Sequence, residues 1–578
     1  MKKILFLLLL AVSIVVSGIE IVSGQLSGEY TIGINAPFTE ADAVALSQGK
    51  KINKGEFRQV RPRAKDGFID LVANGAKFTP GKERTPGLLA AELIAEKDGQ
   101  VAFGCGADWW FKCFVNGKSV FSTMEGSGNN THPVSKKNYS FFIPVKKGKN
   151  HIVLLVQSGS GGMSGAMGFV KPEVVWESIA LKYKTRNPYI THAAPGTVTL
   201  NFFTEKPAVA FVDYRPAGEK TWLRSYDLLG GQLRNDCSKH TIKLTGLKYG
   251  SVYEYRVGFV QTDYSEKVDK IRTFRSLTDK TVDFKLFYTS DTQFALTRMA
   301  KYIRSYLRDC NAKEADIFFH GGDICNSYRP GTSNIFLDSF LNVLTAEMKH
   351  TPVVAVSRGN HEYRGDGSGE YFHYLGGKEN KSYYMFRQGN VCFIVLDSGE
   401  DKPRVLKNVY YWRTFDRELM KEQRAWLEKA VKSPDFQTAK FRIVLLHSPM
   451  TEKYMGASEK ILTGGLFTGE NPPHKIHLWV CAHTHRYART LAPGKKDVRV
   501  LHEKAAEYAN SPFAQNSLLI VNNGPGGGDG DSSGIMFNFR ENEIDVRVMT
   551  PDGKVFDHFS VFPDGSLKEH ENSLKLLK

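Results

Sequence analysis

The sequence predicts a multidomain chain in which two N-terminal β-sandwich domains precede an α/β domain. Three observations carry this expectation. Residues from about 25 to 180 are short alternating apolar segments broken by Gly and Asn turns, and after a linker-like stretch at 171–187 a second β-pattern runs to about 277. Beyond 280, apolar β-branched runs alternate with amphipathic stretches. The chain has 578 residues, 41% of them hydrophobic, which is more than one core can organise.

The chain starts "MKKILFLLLLAVSIVVSG", with lysines, then an apolar segment, then small residues. That is the layout of a secretory signal peptide. Cleavage is expected after Gly18 or Gly24; the later site is preferred, which makes 1–24 the leader. The mature protein is then expected to be secreted, periplasmic or at the cell surface. The apolar run is short for a span, and no later segment is long and apolar enough to cross a bilayer. Seven scattered cysteines form no disulfide framework. Cys105 and Cys113 are either bridged across a hairpin or buried thiols. The net charge of +16 favours anionic ligands. Lys and Arg are spread along the chain, however, so no stable nucleic-acid partner is expected.

Over 25–182, "QVAFGCGADWWFKCFVNGKSVF" reads as two strands joined at Gly106–Asp108, with a turn at Asn116–Gly117. "YSFFIPVKKGKNHIVLLVQSG" repeats the device around Lys147–Gly148. This stretch resembles the galactose-binding-like jelly-roll modules of secreted glycan-active enzymes, and the resemblance implies carbohydrate contact through this domain. Trp109 and Trp110 either stack on a sugar or fill the core. Over 185–278, "LTGLKYGSVYEYRV" resembles a fibronectin type III domain of the kind found at the front of purple acid phosphatases. Tyr253 or Tyr255 is then a structural corner tyrosine.

In the α/β region nearly every apolar strand ends in a residue able to bind metal. Asp291 closes "FKLFYTSD", Asp323 closes "ADIFFHGGD", and Asn360 and His361 follow "PVVAVSRG". His447 closes "FRIVLLH", and His483 and His485 end "IHLWVCAHTH". In open α/β sheets, ligands gather at the carboxyl ends of strands. Carboxylate and amide oxygens mixed with neutral imidazoles suit zinc, manganese or iron rather than calcium or magnesium. The donors are too many for one tetrahedral ion, and two ions sharing a carboxylate fit the count.

The ordered set "SDTQ", "GGD…N", "RGNHE", "VLLH" and "AHTH" resembles the calcineurin-like metallophosphoesterases over about 280–550. The preceding fibronectin-like stretch draws it toward the purple acid phosphatases. The resemblance implies a domain over 280–565 with a β-sandwich core flanked by helices. It implies two divalent or mixed-valence ions (Fe, Mn or Zn) bridged by Asp323. Asp291 and His485 would hold the first ion, and Asn360, His447 and His483 the second. His361 would face the substrate and protonate the leaving oxygen or steady the phosphate, while a metal-bound hydroxide attacks phosphorus. Glu362 is a candidate to orient His361, Arg358 to contact a phosphate oxygen, and Asn326 to contact substrate.

The chain departs from the family pattern in three places. Gln293 stands where the wider family has a histidine; it either ligates through its amide oxygen or hydrogen-bonds Asp291. Asn326 stands where purple acid phosphatases have the tyrosine that colours the iron, and Tyr328 comes two residues later. Ala482 replaces the usual glycine of the last motif, at little cost unless the backbone there needs a positive φ. The glycine-rich "NNGPGGGDGDSSG" is followed by no Lys-Ser/Thr pair and is not a nucleotide-binding loop. The expected function is a secreted dinuclear phosphoesterase acting on phosphomonoesters. The alternatives are a phosphodiesterase or nucleotidase on the same site, and a catalytically inactive surface glycan-binding protein.

Overall fold

The computed structural model describes residues 21–577 apart from 81, 83, 125–127, 129–132, 160, 176–186, 262, 294–295, 329–332, 376–380, 403–414, 452–455, 523, 525–531 and 573. Most of the expected leader and of the glycine-rich loop therefore lies outside the described residues. The chain divides into two compact units, Met1–Lys182 and Tyr183–Lys578. Among the described residues no helix is long and apolar enough to cross a membrane.

The first unit is strand-rich. Its central strand runs unbroken over Gly99–Val115, where two strands joined at Gly106–Asp108 were expected. The first half pairs with Tyr139–Val145 and Ser164–Phe169, the second half with Gly148–Ser158 and Lys118–Ser122. The glycines mark close approach rather than a turn. A Cβ on Gly104 would collide with the Lys136 carbonyl, and one on Gly106 with the Asn138 side chain. Phe103, Phe111, Leu89 and Leu154 share one buried cluster. Cys105 and Cys113 are buried, unbridged thiols. Trp110 is 2% exposed and lies under the Arg84 guanidinium, 3.7 Å from its ring, so this indole is core rather than a sugar platform.

The second unit opens with a sandwich of strands from two sheets between Tyr189 and Arg275. Tyr253 is the corner tyrosine: its hydroxyl accepts the Lys248 N–H at 2.8 Å. The sandwich is not a separate body. Its strand Tyr189–Ala194 pairs in parallel with Val353–Val356 through Ile190 and Val353, so one sheet runs from the sandwich into the α/β region. Ile190, Val198 and Leu200 share a core with Phe284 and Leu286. Tyr255 adds a hydroxyl contact to Thr351 at 2.7 Å.

Two sheets form the α/β region. One holds the parallel strands Phe284–Thr289, Ile317–His320 and Val353–Val356. The other holds Val391–Val395, Phe441–Leu445, Leu478–Cys481 and Leu518–Val521, also parallel. Period-two alternation explains the layering. Leu286 and Tyr288 enter the core between the sheets, together with Phe393, Ile443 and Val480. Phe287 and Phe318 point outward to the helix Leu296–Asp309, which buries Met299, Ile303, Tyr306 and Leu307 at helical spacing. Ile394, Val444 and Trp479 point the opposite way and pack on Met420 and Leu427 of the helix Asp416–Ala430. The result is a β-sandwich core flanked by helices. Because these central strands of each sheet run parallel, the loops after their carboxyl ends collect at one edge.

Candidate metal centre

The loops after five strands bring the polar residues together. Asp291, Asp323 and His485 form one group whose candidate ligand atoms all lie within 4.8 Å of one another. Asp323, His447 and His483 form a second, so Asp323 belongs to both. Asn360 closes the second group, its Oδ1 3.1 Å from His447 Nε2 and 2.9 Å from His483 Nδ1. Asp291, Asp323, Asn360 and His447 are at most 2% exposed, while His485 reaches the surface.

The backbone is bent to aim these side chains. Asp291, Gln293, Asp323, His483 and His485 all have positive φ, between 24° and 72°. Such conformations cost of order 1–3 kcal/mol each and persist where the surroundings enforce them. Ala482 is not among the positive-φ residues, so replacing the usual glycine there strains nothing.

Donor chemistry tests whether cations fit. His447 donates Nδ1–H to the Gly321 carbonyl at 2.7 Å, which turns Nε2 toward Asp323 Oδ2 at 3.2 Å and Asn360 Oδ1. A neutral imidazole so tethered presents a lone pair to two oxygen acceptors. Burial alone would lower its pKa, yet Asp323 and Asp291 push it up to about 10. The pocket thus demands positive charge. Burial, with His447 beside it, pushes His483 down to about 4 and keeps it neutral, as a ligand must be. Burial would raise the Asp323 carboxyl, but His447 and His361 outweigh it and hold the carboxyl well below its usual range. The set fits divalent ions bound through nitrogen and oxygen.

Gln293 enters as a donor rather than a ligand: its Nε2 lies 2.8 Å from Asp323 Oδ2, not on Asp291. His361 donates its backbone N–H to Asp323 Oδ1 at 2.9 Å, and its Nδ1 meets the Asn326 carbonyl at 2.8 Å. Asn326 thus contributes its backbone to the site. Burial, with Arg364 beside it, pushes His361 down to about 3. Glu362 does not orient the imidazole. It accepts the backbone N–H groups of Asp323, Ile324 and Gly359 at 2.7–2.8 Å and the Tyr328 hydroxyl at 3.0 Å. Burial and the Asp323 charge push its pKa up to about 7. Tyr328, which binds Glu362, is a buried phenol with a strongly raised pKa, the opposite of a tyrosinate.

Arg358 is not at the site. Its guanidinium stacks on Tyr363 at 3.6 Å and lies 3.9 Å from Asp397, buried among aromatic rings. The arginine that does reach the site is Arg364. It binds Glu400 in bidentate fashion at 2.9 and 2.6 Å and Asp401 at 2.9 Å, and its Nη1 lies 2.8 Å from His361 Nε2. Asp401 in turn accepts the Asn360 amide at 3.0 Å.

A family model for calcineurin-like phosphoesterases matches residues 284–487. No curated protein matches the chain. Among solved structures, a purple acid phosphatase from yellow lupin (Lupinus luteus) seeds is 14% identical with a TM-score of 0.46, covering 82% of this chain and 93% of that one. PhoD is 11% identical with a TM-score of 0.47, covering 67% and 92%. The ligand-bearing loops from Asp291 to His485 all fall inside the matched segment. Residues 284–487 are accordingly a calcineurin-like phosphoesterase domain, and the protein is a metal-dependent phosphoric ester hydrolase.

Proposed function

We propose that the protein hydrolyses phosphomonoesters at two metal ions that share Asp323. The observation carrying this reading is the membership of Asp323 in both donor groups. One carboxylate common to two clusters suits an in-line displacement in which both the attacking and leaving oxygens need a cation. In this reading Asp291, Asp323 and His485 hold one ion, and Asp323, Asn360, His447 and His483 the other. Zinc, manganese and iron all suit these donors. Bound there, the ions supply charge neutralisation at the phosphoryl group and acidify water.

The chain's own groups position and protonate. His361 is fixed through Nδ1–H to the Asn326 carbonyl, and its Nε2 accepts a hydrogen bond from Arg364. When Arg364 Nη1 turns to a phosphoryl oxygen, His361 Nε2 is freed to take up a proton from solvent and pass it to the leaving oxygen. The preference for a monoester rests on the domain order, which resembles that of the purple acid phosphatases. Export rests on the leader-like residues 1–24.

An aryl phosphomonoester and an aryl phosphodiester, assayed side by side with Mn²⁺, Zn²⁺ or iron, test this reading. The monoester is expected to turn over faster, with loss in Asp323→Asn and a drop of about 10²- to 10⁴-fold in His361→Ala. Folded wild-type protein that retains fewer than two ions and hydrolyses neither ester would overturn it.

A further inference from the structure

A second donor cluster lies in the sandwich, remote in sequence from the phosphoesterase motifs. Asp227, Cys237 and His240 place one candidate ligand atom each within 4.8 Å of the others. His240 Nδ1 is 3.0 Å from Asp227 Oδ2, and Cys237 Sγ is 4.0 Å from both atoms. A tetrahedral zinc with bonds of about 2.0 Å to nitrogen or oxygen and about 2.3 Å to sulfur sets edges of roughly 3.3 Å and 3.6 Å. The three separations here match those edges to within roughly 0.4 Å.

Hydrogen bonding supplies an independent argument. The Thr204 hydroxyl donates to the Lys206 carbonyl at 2.7 Å, so its one hydrogen is committed. His240 Nε2, 3.1 Å from that same oxygen, must then be the donor of their contact. In the neutral imidazole the lone pair is therefore on Nδ1, aimed at the Asp227 carboxylate. Two acceptors 3.0 Å apart in a buried place repel unless a proton or a metal cation lies between them. His240 is wholly buried and Asp227 nearly so, whereas Cys237 is half-buried, which leaves an approach from solvent.

We propose that Asp227, Cys237 and His240 form a zinc site, with water completing the tetrahedron. Binding converts the Cys237 thiol to thiolate and releases its proton to solvent. One thiolate and one carboxylate then balance the charge of the ion, so the buried cluster is neutral. Thr204 holds the ring of His240 through the far nitrogen, as the outer partners of metal-bound imidazoles do. Asp227 follows the strand Leu223–Tyr226 and His240 lies in the strand Lys239–Leu244. The ion would thereby clip the base of the small hairpin of Leu228–Leu229 and Gln232–Leu233, which leaves three leucines exposed.

Cobalt substitution distinguishes this site from the nitrogen- and oxygen-lined centre of the phosphoesterase domain. The full chain, stripped of metal and titrated with Co²⁺, is expected to develop a thiolate-to-cobalt charge-transfer band in the near ultraviolet. The band should saturate at the amplitude of one cobalt–thiolate bond per chain, be displaced by Zn²⁺ and be missing in folded Cys237→Ser. A second measurement needs no variant. Cys237 is the partly exposed one of the seven thiols, so a disulfide reagent reads it in the native protein. Zn²⁺ at ten times its dissociation constant should slow that labelling about tenfold. A chain that gives no charge-transfer band, or labels equally fast with and without Zn²⁺, would show that the cluster is a hydrogen-bonded His–Asp pair beside an ordinary thiol.

Discussion

Glu362 accepts the backbone N–H of Asp323 at 2.8 Å, so one buried carboxylate fixes the loop that carries the residue common to both donor groups. Its same oxygen takes the Gly359 N–H at 2.7 Å, and its other oxygen takes Ile324 N–H and the Tyr328 hydroxyl. Two ligand loops are thereby held in one geometry before any ion arrives. Glu362→Gln would set an amide NH₂ against backbone donors and leave at least one unpaired, at a cost of about 1–3 kcal/mol. Metal affinity should fall about 10- to 100-fold, as for other partners behind metal ligands. Competition with a chromogenic chelator measures this; unchanged affinity in a folded variant would remove Glu362 from the positioning role.

In the proposed reading Arg364 is the cation that reaches a substrate oxygen. Glu400 and Asp401 anchor its far edge, and Nη1 is left directed at His361. A lysine keeps the charge but cannot hold two carboxylates and still reach the imidazole. Arg364→Lys should therefore lower kcat by about 10²-fold, the scale of one lost transition-state donor, while metal content stays at the wild-type value. If KM rises and kcat does not move, Arg364 binds substrate uniformly and plays no part in the transition state.

The residues that the fold gathers into the two donor groups were legible because the signal is local. An apolar run that ends in Asp, Asn or His occupies a few residues, and the sheet then carries those ends together. Arg364 was not legible, because its partners Glu400 and Asp401 are 36 and 37 residues away in sequence. Arg358 and Arg364 stand six positions apart, and packing alone decides which is enclosed by aromatic rings. Gly104 and Gly106 misled for a different reason. Glycine serves turns and close contacts equally, and in this strand neighbouring atoms leave no room for a Cβ. The fusion of the sandwich with the phosphoesterase sheet rests on the pairing of Ile190 with Val353, for which the composition of neither strand gives a sign.

Arg358 should behave as a structural residue. Its guanidinium lies over Tyr363 and within 4.8 Å of the Phe372 ring centre, and it balances a buried Asp397. Arg358→Met removes a desolvated cation–π contact of about 2 kcal/mol and leaves the carboxylate without its counter-charge. A combined loss of about 3–5 kcal/mol is expected in urea unfolding, with KM for the ester unchanged. A large rise in KM at wild-type stability would instead return this arginine to the substrate.

The C-terminal strands offer a test by acid. Arg489 binds Asp557 at 2.8 and 3.0 Å and Glu569 at 2.8 Å, and Arg499 binds both oxygens of Glu569 at 3.0 Å. Arg489 lies in one sheet of the sandwich core and Asp557 in the other, so the network staples the two. Hydrogen bonds from Arg499, then Arg489, pull Glu569 from its ordinary 4.5 down to about 2, against the opposing effect of burial. A carboxyl depressed on folding stabilises the native state above its unfolded pKa and loses that contribution as pH falls through its folded one. The contribution of Glu569 is therefore full above about pH 4.5 and disappears toward pH 2. Between about pH 5 and about pH 2.5 the urea midpoint of the wild type should fall more steeply than that of Glu569→Gln. Parallel slopes would mean that the acid sensitivity of this chain lies with other carboxylates.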